Sequence, residues 1–256
     1  MRTRLVLSTC AVTALVLTGV HLGQRSLAEE PVTPTGSVAA VATPTAPSKR
    51  VYASSSDLPD GEAIPASGAG TWHVVPGTSA KTGSGPLVTY SVEVEDGVTV
   101  DEQAFARFVE TTLADPRGWT ARGERSVQRV DSRPALHIRL TSQHSAREIC
   151  GYEIPVDVSC RDGQAVVLSA ARWIRGAVAF DGDLENYRRY MVNHETGHFF
   201  GQGHRACPAG GGPAPVMMQQ TFSVSNDEIV RITGGVPQGA DIPQDGKVCR
   251  PNPWPY

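Results

Sequence analysis

The sequence has little net charge and no concentrated run of basic residues. Its 256 residues include 23 Lys and Arg against 26 Asp and Glu, which gives a formal charge of -3 with neutral histidines. Nucleic-acid binding needs a basic patch or stripe, and here the basic residues are dispersed, so this class of function is excluded. Internal repeats are also absent. The hydrophobic content of 40% is enough for a core, and the length suits one or two domains.

Long apolar runs are missing except at the N-terminus. Residues 5–20 form such a run behind Arg2 and Arg4, and the small residues from Ser26 to Ala28 suit cleavage after Ala28. We therefore predict a signal peptide over residues 1–28 and a protein that is secreted or associated with the cell envelope. The alternative is an uncleaved anchor that tethers the chain to the membrane or envelope. Against it, polar residues interrupt the run, which falls short of the roughly 20 apolar residues of a spanning helix.

Large apolar residues are scarce from residue 29 to residue 70, where Pro, Thr, Ala, Ser and Gly dominate. Such a segment cannot bury enough surface to offset the entropy lost on ordering. We predict a disordered linker over residues 29–70 and a folded domain over residues 71–256. A latency propeptide is the alternative, but the segment contains no cysteine or aspartate motif that would cap a metal ion.

The apolar periodicity of the remaining sequence predicts an alternation of strands and helices. Period-two segments predict strands, and apolar residues at helical spacing behind an aspartate N-cap predict helices. The predicted strands cover residues 87–94, 126–130, 135–141 and 165–170, and the predicted helices cover residues 101–114, 184–200 and 227–232.

Residues 194–204 read HETGHFFGQGH and are typical of a catalytic zinc site. His194 and His198 are four residues apart, so on a helix they share a face and can bind one metal ion. Gly201 can take the left-handed conformation that ends a helix and reverses the chain, which would bring His204 back as a third ligand. Three protein nitrogens leave the fourth tetrahedral position of Zn2+ open for water.

Glu195 is the predicted general base of this site. It follows the first histidine and is turned away from the metal, close enough to hold a water whose pKa zinc lowers to roughly 7. A structural zinc site is one alternative, but it would recruit a cysteine or a fourth ligand, and no cysteine lies within the motif. An inactive metal-binding relative is the other, and it would usually have lost the glutamate.

Five cysteines are present, and Cys10 leaves with the predicted signal peptide. An even number in an exported chain predicts two disulfides, for which three pairings are possible. We favour Cys150 with Cys160, which closes a short loop, and Cys207 with Cys249, which ties the segment after the motif to the chain's end. Zinc ligation by these cysteines is the competing interpretation.

The motif resembles the metzincin clan of zinc endopeptidases, whose pattern H-E-x-x-H-x-x-G-x-x-H is matched at every fixed position. The resemblance implies an α+β fold with a mixed twisted sheet, a backing helix, an active-site helix and an irregular C-terminal subdomain. It also implies a methionine-containing turn beneath the metal. We choose Met217 over Met218 for this turn, because a turn-forming residue lies two places before Met217.

The chain also resembles an uncharacterised group of secreted actinobacterial proteins with a metzincin-like domain. This resemblance covers about Thr71 to Tyr256 and rests on Asn193 and on the ending from Cys249 to Pro255. Two departures from better-known metzincins are Arg205 after the third histidine and the absence of a tyrosine soon after the methionines. A tyrosine hydroxyl that assists the developing oxyanion, as in some members, therefore has no candidate there.

We predict a monomeric, secreted, zinc-dependent endopeptidase that hydrolyses protein or peptide substrates with Glu195 as general base. Two alternatives stay open. One is a non-proteolytic, envelope-associated zinc-binding module, which the two departures would suit. The other is an amidase that acts on cell-wall peptides with the same site.

Overall fold

The computed structural model describes residues 51–234, 236 and 241–256. The predicted signal peptide (residues 1–28), residues 29–50 of the predicted linker and the possible N-terminal tether lie outside the described residues. The described residues form one mixed seven-stranded sheet and five α-helices. This architecture agrees with the predicted α+β class.

Four strands of the sheet are parallel, and three short strands run antiparallel to them. Their order is β2-β4-β3-β5-β7-β6, with β1 paired to β3 off this path. The parallel strands β3, β4, β5 and β7 correspond to the four predicted strands, whereas the missed strands have only two or three residues, too few for a period-two pattern. The bounds are β1 (Trp72–Val74), β2 (Thr82–Gly83), β3 (Leu87–Glu95), β4 (Ser126–Arg129), β5 (Leu136–Thr141), β6 (Cys160–Asp162) and β7 (Ala165–Ser169).

Two of the five helices are long, and three are short. The three predicted helices are present with ends within two residues of the prediction. The two missed helices lack an apolar stripe: the buried side chains of one are only Ser145 and Ala146, and the other has six residues directly after a strand. The bounds are α1 (Glu102–Ala114), α2 (Gln143–Cys150), α3 (Ala170–Arg175), α4 (Leu184–Phe199) and α5 (Asn226–Thr233).

Aspartate caps and an apolar core hold α1 and α4 against the sheet. Asp101 accepts from the Ala104 amide at 2.8 Å, and Asp183 accepts from the Asn186 amide at 3.1 Å, as predicted. Both helices contribute to a core shared with β3, β5 and β7, in which each buried large side chain contributes about 1.5–3 kcal/mol. Phe105 of α1 lies edge-on to Trp173 of α3, with ring centroids 4.8 Å apart. The core therefore fixes α4, the helix that contains the metal motif.

Residues 51–70 pack on the domain, although we predicted them as part of a disordered linker. The fully buried guanidinium of Arg172 donates to the carbonyls of Ser56 at 2.6 Å and Asp57 at 3.0 Å. The amides of Gln143 and His144 at the start of α2 donate to carbonyls at residues 65 and 66. Hydrogen bonds to its backbone carbonyls, rather than apolar side chains, order this segment, so its composition did not reveal it.

The two disulfides join Cys150 to Cys160 and Cys207 to Cys249, which are the predicted pairs. Disulfides form and persist in oxidising compartments, so they indicate an environment such as the cell exterior. Among the residues that the structure describes, no helix is both long enough and apolar enough to cross a membrane.

Candidate metal centre

The metal motif occupies the end of α4 and the turn that follows it. His194 and His198 lie on one face of the helix, which ends at Phe199. Gly201 takes a positive φ of 80°, and the amide of Gln202 donates to the Gly197 carbonyl at 2.9 Å. This left-handed glycine reverses the chain and brings His204 back toward the helix.

The three histidines converge through their Nε2 atoms. The Nε2 of His198 lies 3.2 Å from that of His194 and 3.0 Å from that of His204. Zinc binds imidazole nitrogen at about 2.0–2.1 Å, so two tetrahedral ligands lie about 3.3–3.4 Å apart, close to these separations. In the part of the chain that the structure describes, these three histidines are the group that could hold a metal ion.

Backbone carbonyls orient two of the three rings. The Nδ1 of His194 donates to the Val216 carbonyl at 2.8 Å, and the Nδ1 of His198 donates to the Gln202 carbonyl at 2.9 Å. Because a carbonyl only accepts, Nδ1 carries the hydrogen and Nε2 keeps its lone pair. Two lone pairs that face each other across 3.2 Å repel, and a cation between them would relieve this repulsion. The donor set therefore fits a bound metal ion.

The burial of the rings keeps them neutral. Burial, followed by the charges of His198 and His204, lowers the pKa of His194 well below its usual value. Burial and then His204 lower the pKa of His198 to about 4. Neutral imidazole is the form that binds metals, so both rings are in the ligand form at neutral pH.

Glu195 lines the same cleft as the histidines but is not part of the converging group. Its side chain is 6% exposed, and burial raises its pKa to about 8. A dication held by the three histidines would act in the opposite direction on this pKa. The arrangement places one carboxylate beside, and not within, the candidate ligand set.

Met217 packs directly against α4, the helix that contains His194 and His198. A Cβ added to Gly197 would lie less than 3 Å from Met217 Sδ and 2.7 Å from the Trp119 ring, so both side chains press on the helix at this glycine. Met218 belongs instead to the smaller core formed by the C-terminal part of the chain. The turn also supplies the Val216 carbonyl that orients His194. Of the two candidates, Met217 is thus the methionine that contacts α4 at Gly197.

The histidines lie in an open cleft with a cavity volume of about 590 Å3. One wall is the segment from Cys150 to Arg161, which the Cys150–Cys160 disulfide closes. Phe222 and Thr221 contribute to the lining after the Met217 turn. Apolar side chains such as Ile154 lie beside polar ones, so the cleft can accept a chain with mixed side chains.

Residues 58–256, more than three quarters of the chain, match a family whose description is protein of unknown function (DUF3152). The chain belongs to the DUF3152 family. No curated protein matches it, and no solved structure matches it.

Sequence reasoning missed how the C-terminus of this DUF3152 protein supports α4. The side-chain amide of Asn193 donates to the Pro253 carbonyl at 2.9 Å, and the Trp119 indole donates to the Asn193 carbonyl at 2.9 Å. Tyr190, one turn before His194, uses its hydroxyl for the Met218 carbonyl and the Gln220 amide. The sequence gives no local signal for these contacts, because their partners lie 28 to 74 residues apart.

The cleft wall contains two further charged residues that the motif did not indicate. Both residues line the cleft: Glu153 lies within the loop that the Cys150–Cys160 disulfide closes, and Arg161 directly follows that loop. The sequence signal that could have indicated these two residues is the predicted Cys150–Cys160 disulfide, because it closes the loop that forms this wall of the cleft.

Proposed function

We propose that this protein is an exported, zinc-dependent endopeptidase with a metzincin-like arrangement of its site. One observation supports this most strongly: three imidazoles converge in an open cleft that also contains the Glu195 carboxylate. The motif resemblance, the Met217 turn and the two disulfides agree with it. Proteins or peptides are the proposed substrates.

The three histidines would hold the zinc ion through Nε2. Zinc is favoured over harder cations because all three donors are imidazole nitrogens, and no cysteine or carboxylate joins the group. When bound, Zn2+ supplies Lewis-acid polarisation of a substrate carbonyl and a lowered pKa for water in its open position. The carbonyls of Val216 and Gln202 fix the orientation of His194 and His198, which preorganises the site.

Glu195 is the proposed general base. Its carboxylate takes a proton from the attacking water and passes it to the amine that leaves when the peptide bond breaks. Burial keeps this carboxylate away from bulk solvent. Positioned proton transfer of this kind contributes typically 10²–10⁴-fold to a rate.

The sheet edge provides a path for an extended substrate. In the described residues β6 pairs with β7 alone and is therefore an edge strand, and Cys160 and Arg161 of β6 line the cleft. An extended peptide can add to such an edge through main-chain hydrogen bonds. This would place successive peptide bonds beside Glu195 and the histidines.

The test combines metal analysis with peptide digestion. We expect the purified chain to contain about one zinc and to cleave a mixed peptide library, with cleavage lost on chelation and restored by zinc. Glu195→Gln should keep its zinc and lose at least about 100-fold in kcat/KM. His204→Ala should lose zinc affinity, and Glu124→Gln, an exposed glutamate outside the cleft, should match the wild type.

Two results would contradict the proposal. One is cleavage by the Glu195→Gln variant at the wild-type rate. The other is a zinc-loaded wild-type chain that shows no chelator-sensitive cleavage of any peptide.

A further inference from the structure

Arg161 is the charged residue of β6 that faces the candidate metal centre. Cross-strand partners share a face of the sheet, and Arg161 pairs with Val166 whereas Cys160 pairs with Val167. Val166 belongs to the core on the side of α4, and Val167 packs with α2 on the other side. Arg161 therefore points toward α4, in agreement with its place in the lining of the cleft.

The Cys150–Cys160 disulfide fixes this orientation. Cys160 is bonded to the last residue of α2, on the face opposite to α4. A slip of one residue in β6 would turn every side chain to the other face and move Arg161 out of the cleft. The covalent bond prevents such a slip.

The guanidinium of Arg161 is held at one nitrogen and is open at the others. Its Nε donates to the Gly163 carbonyl at 2.9 Å, and no carboxylate in the described residues forms an ion pair with it. Arg161 lines the same cleft as His194, His198 and His204. The two Nη groups therefore remain available as donors at the wall of the cleft.

We propose that Arg161 binds a carboxylate of the substrate and makes the cleft selective for an acidic side chain, or a free chain terminus, near the bond that is cut. This selectivity rests on the proposed peptidase function. It names a substrate class that the zinc motif does not define.

The chemistry of the lining supports this assignment. Among the described residues that line the cleft, Arg161 is the only Lys or Arg, and Glu153 and Glu195 are the acidic residues. Arg161 is therefore the side chain of this lining that can offset the charge of a substrate carboxylate. The planar fork of a guanidinium matches a carboxylate with two parallel hydrogen bonds.

Matched peptides test this selectivity. The set holds one sequence constant and places Glu, Gln or Lys at each of three positions on both sides of the cut, with free or amidated C-termini. We expect wild-type kcat/KM to favour Glu over Gln, or a free over an amidated terminus, by about tenfold or more at one position. Arg161→Met should lose this preference, Arg161→Lys should keep part of it, and the exposed Arg107→Met control should keep all of it.

A binding measurement separates this proposal from the peptidase function. The same Glu and Gln peptides are titrated by fluorescence polarisation into zinc-loaded Glu195→Gln, with and without Arg161→Met. An Arg161-dependent preference in binding, without cleavage by the wild type, supports the carboxylate site and contradicts the peptidase. Cleavage with the same Glu-to-Gln ratio in the wild type and Arg161→Met overturns the carboxylate site and leaves the peptidase standing. Equal binding of both peptides together with no cleavage overturns both.

Discussion

The close approach of Met217 and Trp119 to Gly197 gives a sharp test of how the site is supported. In Gly197→Ala the added methyl group would lie 2.7 Å from the Trp119 ring and less than 3 Å from Met217 Sδ. Carbon atoms pack best at about 3.5–4.0 Å, so the ring must retreat by about 0.8 Å or more. Trp119 also donates to the Asn193 carbonyl, and this bond must adjust with it.

Two opposing effects determine the magnitude. Overpacking a well-packed core costs about 1–3 kcal/mol, whereas alanine favours a helix interior over glycine by about 1 kcal/mol. The net loss in the free energy of unfolding for Gly197→Ala is therefore about 0–2 kcal/mol. Met217→Ala alone should cost about 2–5 kcal/mol. In the double variant the new methyl group partly fills the space left by the methionine, so its loss should be smaller than the sum by about 1 kcal/mol or more.

Urea unfolding of the four proteins measures this coupling, and zinc competition measures its effect on the site. The displaced turn contains the Val216 carbonyl that orients His194, so Gly197→Ala should weaken zinc binding by up to about tenfold. Gly210→Ala is the control, because no atom lies within 4 Å of its added Cβ. Strict additivity in the cycle would refute the placement of Met217 beneath the helix.

Two further predictions concern stability. Replacing both cysteines of the Cys207–Cys249 disulfide, which spans 42 residues, should lower the free energy of unfolding by about 4 kcal/mol, against about 3 kcal/mol for the disulfide that spans 10 residues. Equal losses in urea titrations would contradict the loop-entropy argument. Lys247 holds the pKa of Asp245 at about 2, below its unfolded value of about 3.9. The stability from this carboxylate is present above about pH 4 and is lost as the pH falls through 2, so Asp245→Asn should lose less stability than the wild type between these pH values. The free energy of unfolding of both proteins, measured across this pH range, tests the prediction. An equal loss in the two proteins would contradict it.

Local patterns predicted the long elements well. The capped helices α1 and α4 and the four parallel strands each contain enough residues for a period to emerge. The strands β1, β2 and β6 and the helix α3 are too short for a period to emerge, and α2 buries only Ser145 and Ala146. Residues 51–70 were placed in a linker because their order depends on hydrogen bonds from Arg172, more than 100 positions away in the sequence.

The sequence by itself determined the candidate ligand set, its proposed general base and the glycine that turns the chain. These features depend on spacings of a few residues, which helix geometry converts directly into positions. For the disulfides, the sequence left three possible pairings, of which we favoured one. The fold decided between them, because it places the Cα atoms of each bonded pair 5.7 Å apart. Only the tertiary structure decided that Met217 packs on Gly197, that Arg161 faces α4 and that residues 51–70 lie against the domain. Each of these depends on contacts between segments far apart in the chain, and no local period encodes them.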